Sequence, residues 1–384
     1  MDVTPFTIQI SDDVLNDLQR RLDQVRWPGE LPHTDWDYGT NLDYLQSLIA
    51  YWKNGFEWRR QEAFLNTFAQ FKATVSGVGV HFIHERGQGA NPMPIIITHG
   101  WPSTFFEMYK IIPMLTDPAR FGGDPNDAFD VIAPSMPGYG FSDTTRERGV
   151  DPARIGDVLA GLMAGLGYER FAAHGGDWGA SITARLAYAH PDHVIGIHTM
   201  LPAIITPHIG PETRALSETE QHFLDARSHW RQAEGGYSHI QGTKPQTLSY
   251  GLNDSPVGLA AWIVEKFRTW SDCNGDVESV YTRDELLTTV MIYWVTQTIN
   301  SSVRIYYESQ RNPFVLQPGE RIQSPTAVAL FPKDIALPPR EWIERAYNVQ
   351  RWTEMPRGGH FAALEQPALL VEDIRAFFRP LRDS

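Results

Sequence analysis

The sequence predicts an α/β protein: a mostly parallel sheet flanked by helices, with a helical extension ahead of it and a helical insertion in its second half. Three observations predict it. Short β-branched runs alternate with amphipathic stretches between about residues 75 and 205. The alternation then stops, and residues 206–323 read as helical and rich in Trp, Tyr and Phe. It resumes near residue 324 with two more strands and a closing helix. Alternating strands and helices imply a parallel sheet, because a connection between parallel strands must cross a sheet face. The expected organisation is an extension over residues 1–74, a first half of the core over 75–205, a helical cap (lid) over 206–323, and a second half of the core over 324–384.

Each element has its own signal. In the extension, Val14, Leu15, Leu18 and Leu22 recur at helical spacing, and residues 43–52 and 58–68 repeat the pattern after the breaks at Pro28 and Pro32. Residues 75–84 alternate as a strand does. Ile95, Ile96 and Ile97 form a run suited to a strand buried on both faces. Residues 130–133 are another short strand. Asp151 can cap a helix with Pro152 in its first turn; Ile155, Leu159, Leu162 and Leu166 form its buried stripe, and Gly167 ends it. Residues 170–174 return as a strand, 180–189 as a helix stopped near Pro191, and 194–200 as a further strand. After the insertion come strands at 327–331 and 349–355, and a helix at 369–378.

Composition narrows the function classes. At 384 residues, 42% hydrophobic and 21% charged, the chain is globular. A net charge of −13 without a basic block argues against a nucleic-acid partner. Cys273 is the single cysteine, which excludes an intramolecular disulfide and a multi-Cys metal site. The first ten residues lack the features of a signal peptide, and no apolar run is long enough to span a bilayer. A cytoplasmic location is the default expectation. Nothing in the sequence sets the oligomeric state; a homodimer is one candidate.

The sharpest chemical feature is Gly175-Gly176-Asp177-Trp178-Gly179, between an expected strand and an expected helix. A nucleophile elbow needs small residues two before and two after its reactive side chain, since a Cβ there would strike the adjoining strand and helix. Here the central residue is aspartate where a serine would attack acyl carbon; a carboxylate attacks an sp³ carbon and forms an alkyl ester. His99-Gly100-Trp101-Pro102 follows the Ile95–Ile97 run, where this fold supplies an oxyanion-hole amide. The two donors would be the backbone N–H groups of Trp101 and Trp178, with His99 a packed histidine. Asp334 and His360 each follow a later strand. The order Asp177, Asp334, His360 is that of an α/β-hydrolase, with all three at the C-terminal ends of strands.

These motifs together resemble the microsomal-type epoxide hydrolases and their soluble bacterial and fungal relatives. The resemblance covers nearly the whole chain: Trp36-Asp37-Tyr38-Gly39, HGWP, GGDWG, residues 251–266 (GLNDSPVGLAAWIVEK), Phe331-Pro332-Lys333-Asp334 and RGGHFAA at 357–363. It implies an α/β-hydrolase fold with a cap, and hydrolysis of an epoxide to a vicinal diol with water as the second substrate and no metal or organic cofactor. It implies two cap tyrosines that hydrogen-bond the epoxide oxygen, which local motifs place at Tyr237 and at Tyr306, with Tyr307 adjacent. Asp334 stands where some relatives have Glu. The membrane anchor of microsomal members is not expected, because this chain starts directly at Pro5-Phe6. Trp262, Phe267 and Trp270 (with Tyr293 and Trp294 nearby) are the aromatics expected to line an apolar pocket for a lipophilic, aryl-type epoxide. Two other readings stand beside this one. A haloalkane or haloacid dehalogenase also uses an elbow Asp but needs no tyrosine pair, and a non-catalytic binding protein could occupy a degenerate scaffold. A serine esterase is disfavoured by the absence of an elbow serine.

Overall fold

The computed structural model describes residues 1–203, 214–317 and 319–382. Among the described residues, nine strands form one sheet in the order β1-β2-β3-β5-β4-β6-β7-β8-β9. These are β1 (Val3–Pro5), β2 (Gln70–Val75), β3 (Val78–Glu85), β4 (Met93–Thr98), β5 (Phe129–Pro134), β6 (Phe171–Gly175), β7 (Val194–Met200), β8 (Ile322–Leu330) and β9 (Tyr347–Glu354). From β5 across to β9 every neighbouring pair is parallel, while β1, β2 and β3 pair antiparallel at one edge.

The parallel strands read as apolar runs because helices cover both faces. Ile95, Ile96 and Ile97 of β4 and Val131, Ile132 and Ala133 of β5 are fully buried. Burying each large aliphatic side chain stabilises the fold by about 1.5–3 kcal/mol. Strand β4 lies between β5 and β6: the chain passes from β4 to β5 on one side and then crosses back over β4 to β6 on the other. Such a switch point opens a crevice at the C-terminal strand ends.

The antiparallel edge differs from the sequence expectation. Residues 75–84 do not form one strand. Ser76 (φ 50°) and Gly77 (φ 80°) make a two-residue hairpin turn, with Val75 paired to Val78. Both residues at positive φ give the turn whose twist matches the strands, and a Ser-Gly pair is a weaker signal for it than Asn-Gly. The extension therefore contributes β1 and β2 to the sheet as well as the helices Asp12–Asp23, Leu42–Asn54 and Trp58–Leu65. Strand β1 has three residues, too few for periodicity to reveal.

Six helices separate β7 from β8 among the described residues: Glu218–Glu234, Gly236–Thr243, Pro245–Asp254, Pro256–Thr269, Arg283–Thr296 and Ile299–Arg311. The extension straps onto them. Arg21 Nη1 donates to the Asp254 carbonyl and carboxylate, both at 2.7 Å, Thr40 Oγ1 donates to Ala261 O at 2.8 Å, and the Tyr51 hydroxyl donates to Asp284 Oδ1 at 2.7 Å. Glu285, which completes a capping box with Thr282, also accepts from Tyr109 and pairs with Lys110 at 2.6 Å. One carboxylate thus joins a helix start in the insertion to the loop after β4.

Beneath the sheet's C-terminal end, His174 of β6 meets His198 of β7 at 3.0 Å, and His198 reaches Asp373 at 3.0 Å. Asp373 also accepts from Arg351 and Thr353, each at 2.7 Å. Burial alone would raise its carboxyl pKa, but these donors outweigh burial and hold it well below the ordinary carboxylate value. A depressed folded-state pKa adds stability above the unfolded value of about 3.9, and this is lost as pH falls through the folded pKa. Asp373→Ala leaves His198 and Arg351 uncompensated, so denaturant unfolding at pH 7 should show a loss of about 3–5 kcal/mol. The gap between variant and wild type should narrow on acidification below pH 4.

Candidate active site

The strand β6 runs into Gly175 and Gly176, and the helix Trp178–Ala189 begins immediately after Asp177. Asp177 sits at φ 49°, ψ −124°, a conformation that non-glycine residues rarely adopt. Such strain persists only where the surroundings hold it, and the local packing shows how they do. A Cβ on Gly179 would lie 2.1 Å from Thr98 O, and one on Gly175 would lie 2.4 Å from the Gly179 carbonyl. A Cβ on Gly100 would lie 2.4 Å from Asp177 Cβ. The helix is pressed onto β4, the turn must be sharp, and the Asp177 side chain is displayed at the crest.

Its carboxylate meets two partners. The Trp101 N–H donates to Asp177 Oδ1 at 2.9 Å. Asp177 Oδ2 lies 3.5 Å from His360 Nε2. The other ring nitrogen, His360 Nδ1, is 2.6 Å from Asp334 Oδ1, which also accepts the Ile335 N–H at 2.7 Å. His360 and Asp334 are buried, and Asp177 retains 15% side-chain exposure, so it is the member of the line open to a ligand. Trp178 opens the helix, and the first amides of a helix have no partner within it. Burial opposes the charged form of His360, but the two facing carboxylates outweigh it and raise its pKa well above the ordinary value.

The loop holding His360 is pinned to the insertion. His360 N–H donates to Trp270 O at 2.8 Å, and Gly358 N–H donates to Asp272 Oδ2 at 2.9 Å. Glu365 accepts the N–H groups of Gly359, Phe361 and Asp272, each at 2.9 Å. Sequence reasoning did not find Glu365, because a carboxylate whose partners are backbone amides from two distant segments leaves no local pattern.

Facing Asp177 is a cage of aromatic rings. Tyr237 stacks on Trp101 (centroids 5.4 Å apart, planes at 7°) and packs on Trp270 at 5.0 Å. Tyr306 meets Trp178 edge-on at 4.9 Å and Tyr237 at 5.8 Å. Burial, reinforced by the Asp177 charge, raises both phenol pKa values and keeps them protonated donors. The Tyr306 hydroxyl is buried and has no hydrogen-bond partner among the described residues. A buried orphan donor costs about 1–3 kcal/mol, which a bound acceptor would recover. Tyr307, the adjacent candidate, instead lies under the Arg311 guanidinium.

The three expected pocket aromatics separate. Trp270 belongs to the cage, in contact with Trp101, Tyr237 and His360. Phe267 instead stacks on Phe361 (4.2 Å, 8°) and packs on Tyr281. Trp262 donates to Gln241 Oε1 and lines two outer cavities of about 810 and 660 Å³, between the extension and the insertion. The aromatic richness of the insertion placed them together; the different partners of each one separate them. Among the described residues, no cluster of three His, Cys, Asp or Glu is arranged to hold a metal ion, and no helix is long and apolar enough to cross a membrane.

Sheet order, elbow and the acid–histidine–acid line define an α/β-hydrolase. Residues 93–232 match the family described as alpha/beta hydrolase fold, and residues 3–108 match the one described as Epoxide hydrolase N terminus. The chain is 44% identical over 381 residues to a Stigmatella aurantiaca (strain DW4/3-1) protein named provisionally as an epoxide hydrolase, covering 99% of this chain and 86% of that one. It is 38% identical to Epoxide hydrolase 1 of Oryctolagus cuniculus, covering 98% and 88%. The crystal structure of juvenile hormone epoxide hydrolase from the silkworm Bombyx mori superposes with a TM-score of 0.87 at 29% identity, covering 100% of this chain and 95% of that one. The chain belongs to the epoxide hydrolase family and is a hydrolase enzyme.

The charge balance at His360 has a direct test. In Asp177→Asn one of its two carboxylates is neutral, so ¹⁵N NMR of the imidazole should show His360 losing its proton at a lower pH than in the wild type. An unchanged titration would mean that the 3.5 Å contact is not coupled.

Proposed function

We propose that this chain converts a lipophilic epoxide to a vicinal diol through an ester formed on Asp177. The observation that carries the reading is a carboxylate at the elbow, with His360 on one side and two buried phenols facing it, one hydroxyl unpaired. A carboxylate nucleophile suits an sp³ carbon, and neutral phenols suit an oxygen that gains charge as its carbon bond breaks.

In the first half-reaction Asp177 Oδ2 bonds to an epoxide carbon and the C–O bond of the ring breaks. Tyr237 and Tyr306 donate to the departing oxygen, which becomes the hydroxyl of the hydroxyalkyl ester. Asp177 Oδ1, already held by the Trp101 N–H, becomes the ester carbonyl oxygen. Alkylation removes the Asp177 charge and with it one of the two carboxylates that hold the proton on His360. That proton passes by way of the phenols to the departing oxygen, completing its hydroxyl and leaving the imidazole neutral. The imidazole can then act as base. It takes a proton from water, the hydroxide adds to the ester carbon, and the oxyanion is held by the Trp101 amide, with that of Trp178 as the second donor. Collapse expels the diol oxygen, which takes the proton from His360. Asp334, bonded to Nδ1, orients the ring throughout. The indole and phenol surfaces of Trp101, Tyr237, Trp270 and Tyr306 favour an apolar, aryl-bearing substrate.

A single turnover of excess enzyme with styrene oxide in ¹⁸O-labelled water tests the pathway. Label should enter the Asp177 carboxylate, and the first-turnover diol should carry unlabelled oxygen; label in the diol with none in Asp177 would mean direct attack by water. His360→Gln should form the ester and stall, so that mass spectrometry finds the Asp177 peptide heavier by one substrate. Tyr306→Phe should slow ester formation by about 10²-fold, the scale of one general acid. Tyr307→Phe should leave it within about twofold of wild type.

A further inference from the structure

The loop that supplies the Trp101 amide is itself wired to a buried acid that the mechanism above does not use. Glu107 lies in the 3₁₀ turn Phe105–Lys110, 6% exposed, and its Oε2 makes a short contact with Ser103 Oγ. Ser103 Oγ also accepts the Gly100 N–H at 3.3 Å and donates to Gly100 O at 3.1 Å. A serine hydroxyl has one proton and cannot give it fully to two acceptors. If Glu107 is neutral the conflict disappears: its O–H donates to Ser103 Oγ, and the serine proton goes to Gly100 O.

Gly100 O has a second donor. The Met136 N–H donates to His99 Nε2 at 3.2 Å, so the ring proton sits on Nδ1, which reaches Gly100 O at 2.9 Å. The Gly100 carbonyl and the Trp101 N–H belong to one peptide unit. Donors on its oxygen pull electron density from its nitrogen and make the N–H a stronger donor, as in any chain of hydrogen bonds. The acceptor of that N–H is Asp177 Oδ1 at 2.9 Å.

We propose that Glu107 is a positioning residue for ester hydrolysis: as the neutral acid it drives a relay, Glu107 to Ser103 to the Gly100 carbonyl, that strengthens the Trp101 amide toward the oxyanion on Asp177. The inference rests on the reading under Proposed function. The surroundings favour the neutral acid. Burial raises the Glu107 pKa to about 7; Asp177 at the elbow and Glu365 of the segment Ala362–Glu365 push the same way, while Ser103 and the His360 charge oppose them. The other titratable groups facing it are the phenols of Tyr281 and Tyr293, both held neutral by burial. An ionised Glu107 would draw the serine proton to itself, weaken the relay and set a second negative charge near the oxyanion.

The test separates the two half-reactions by rapid-quench mass spectrometry of the Asp177 peptide across pH 5–9. In the wild type, ester breakdown should fall as pH rises through about 7, the direction in which Glu107 loses its proton and opposite to the gain expected as His360 becomes a free base. Glu107→Gln keeps a donor that cannot ionise, so it should break down ester at the wild-type acidic-limb rate and lose the alkaline fall. Glu107→Leu should slow breakdown by about 10-fold, less than the roughly 10²–10³-fold cost of deleting an oxyanion donor, and should not slow ester formation. Ser103→Ala should match Glu107→Leu and replaces it if the leucine variant does not fold. An alkaline fall retained in Glu107→Gln, or both half-reactions slowed alike, would overturn the relay and leave the ester pathway standing. Absence of any ester in the wild type would overturn the pathway, and the relay with it.

Discussion

The site depends on the contact between Gly179 and the backbone of Thr98 and His99. With no room for a Cβ at that point, the helix Trp178–Ala189 lies directly on β4, and the chain between β6 and the helix must turn within Gly176 and Asp177. That constraint lifts Asp177 to positive φ and sets its carboxylate above the C-terminal edge of the sheet. It also brings the loop after β4 against the elbow, since Thr98 and Gly175 are paired across β4 and β6. The Trp101 amide and the Asp177 carboxylate meet because two strands end side by side.

The second dependence is electrostatic. His360 is buried between two carboxylates, and their charges outweigh the desolvation that would otherwise strip its proton. On the proposed pathway this balance alternates: the resting ion pair holds the proton, and ester formation removes the charge that held it. The histidine therefore becomes a base when there is an ester to hydrolyse. The aromatic cage works with this, since burial keeps its phenols neutral donors facing the carboxylate.

The insertion takes part in this geometry as well as covering it. Trp270 O and the Asp272 carboxylate hold the His360 loop, Glu365 ties that loop back to Asp272, and Glu285 joins the helix Arg283–Thr296 to the turn carrying Glu107. The N-terminal extension bonds to the insertion through Arg21, Thr40 and Tyr51. A lesion in either segment can therefore reach the line Asp177–His360–Asp334 without touching it.

The sequence by itself determined the parallel part of the sheet, the elbow and the order of its acid and histidine partners. Each of these is a local requirement: strands buried on both faces need short apolar runs, and a turn this tight needs glycine at positions 175 and 179. The edge hairpin was harder to read, because Ser76-Gly77 is a weak turn signal and β1 is shorter than any period. The local motif points to Tyr306 over the adjacent Tyr307, and the structure shows Tyr306 in the cage and Tyr307 under Arg311. Tertiary structure alone parted Trp270 from Phe267 and Trp262. It also decided that Glu365 and Glu107 act on the site through backbone amides and a serine. Glu365 reaches the Asp272 amide 93 residues away, and a side chain whose partner is a distant backbone group leaves no spacing in the sequence for periodicity to find. Glu107 meets Ser103 only four residues away, and its link to the site shows only once the Trp101 amide is set against Asp177.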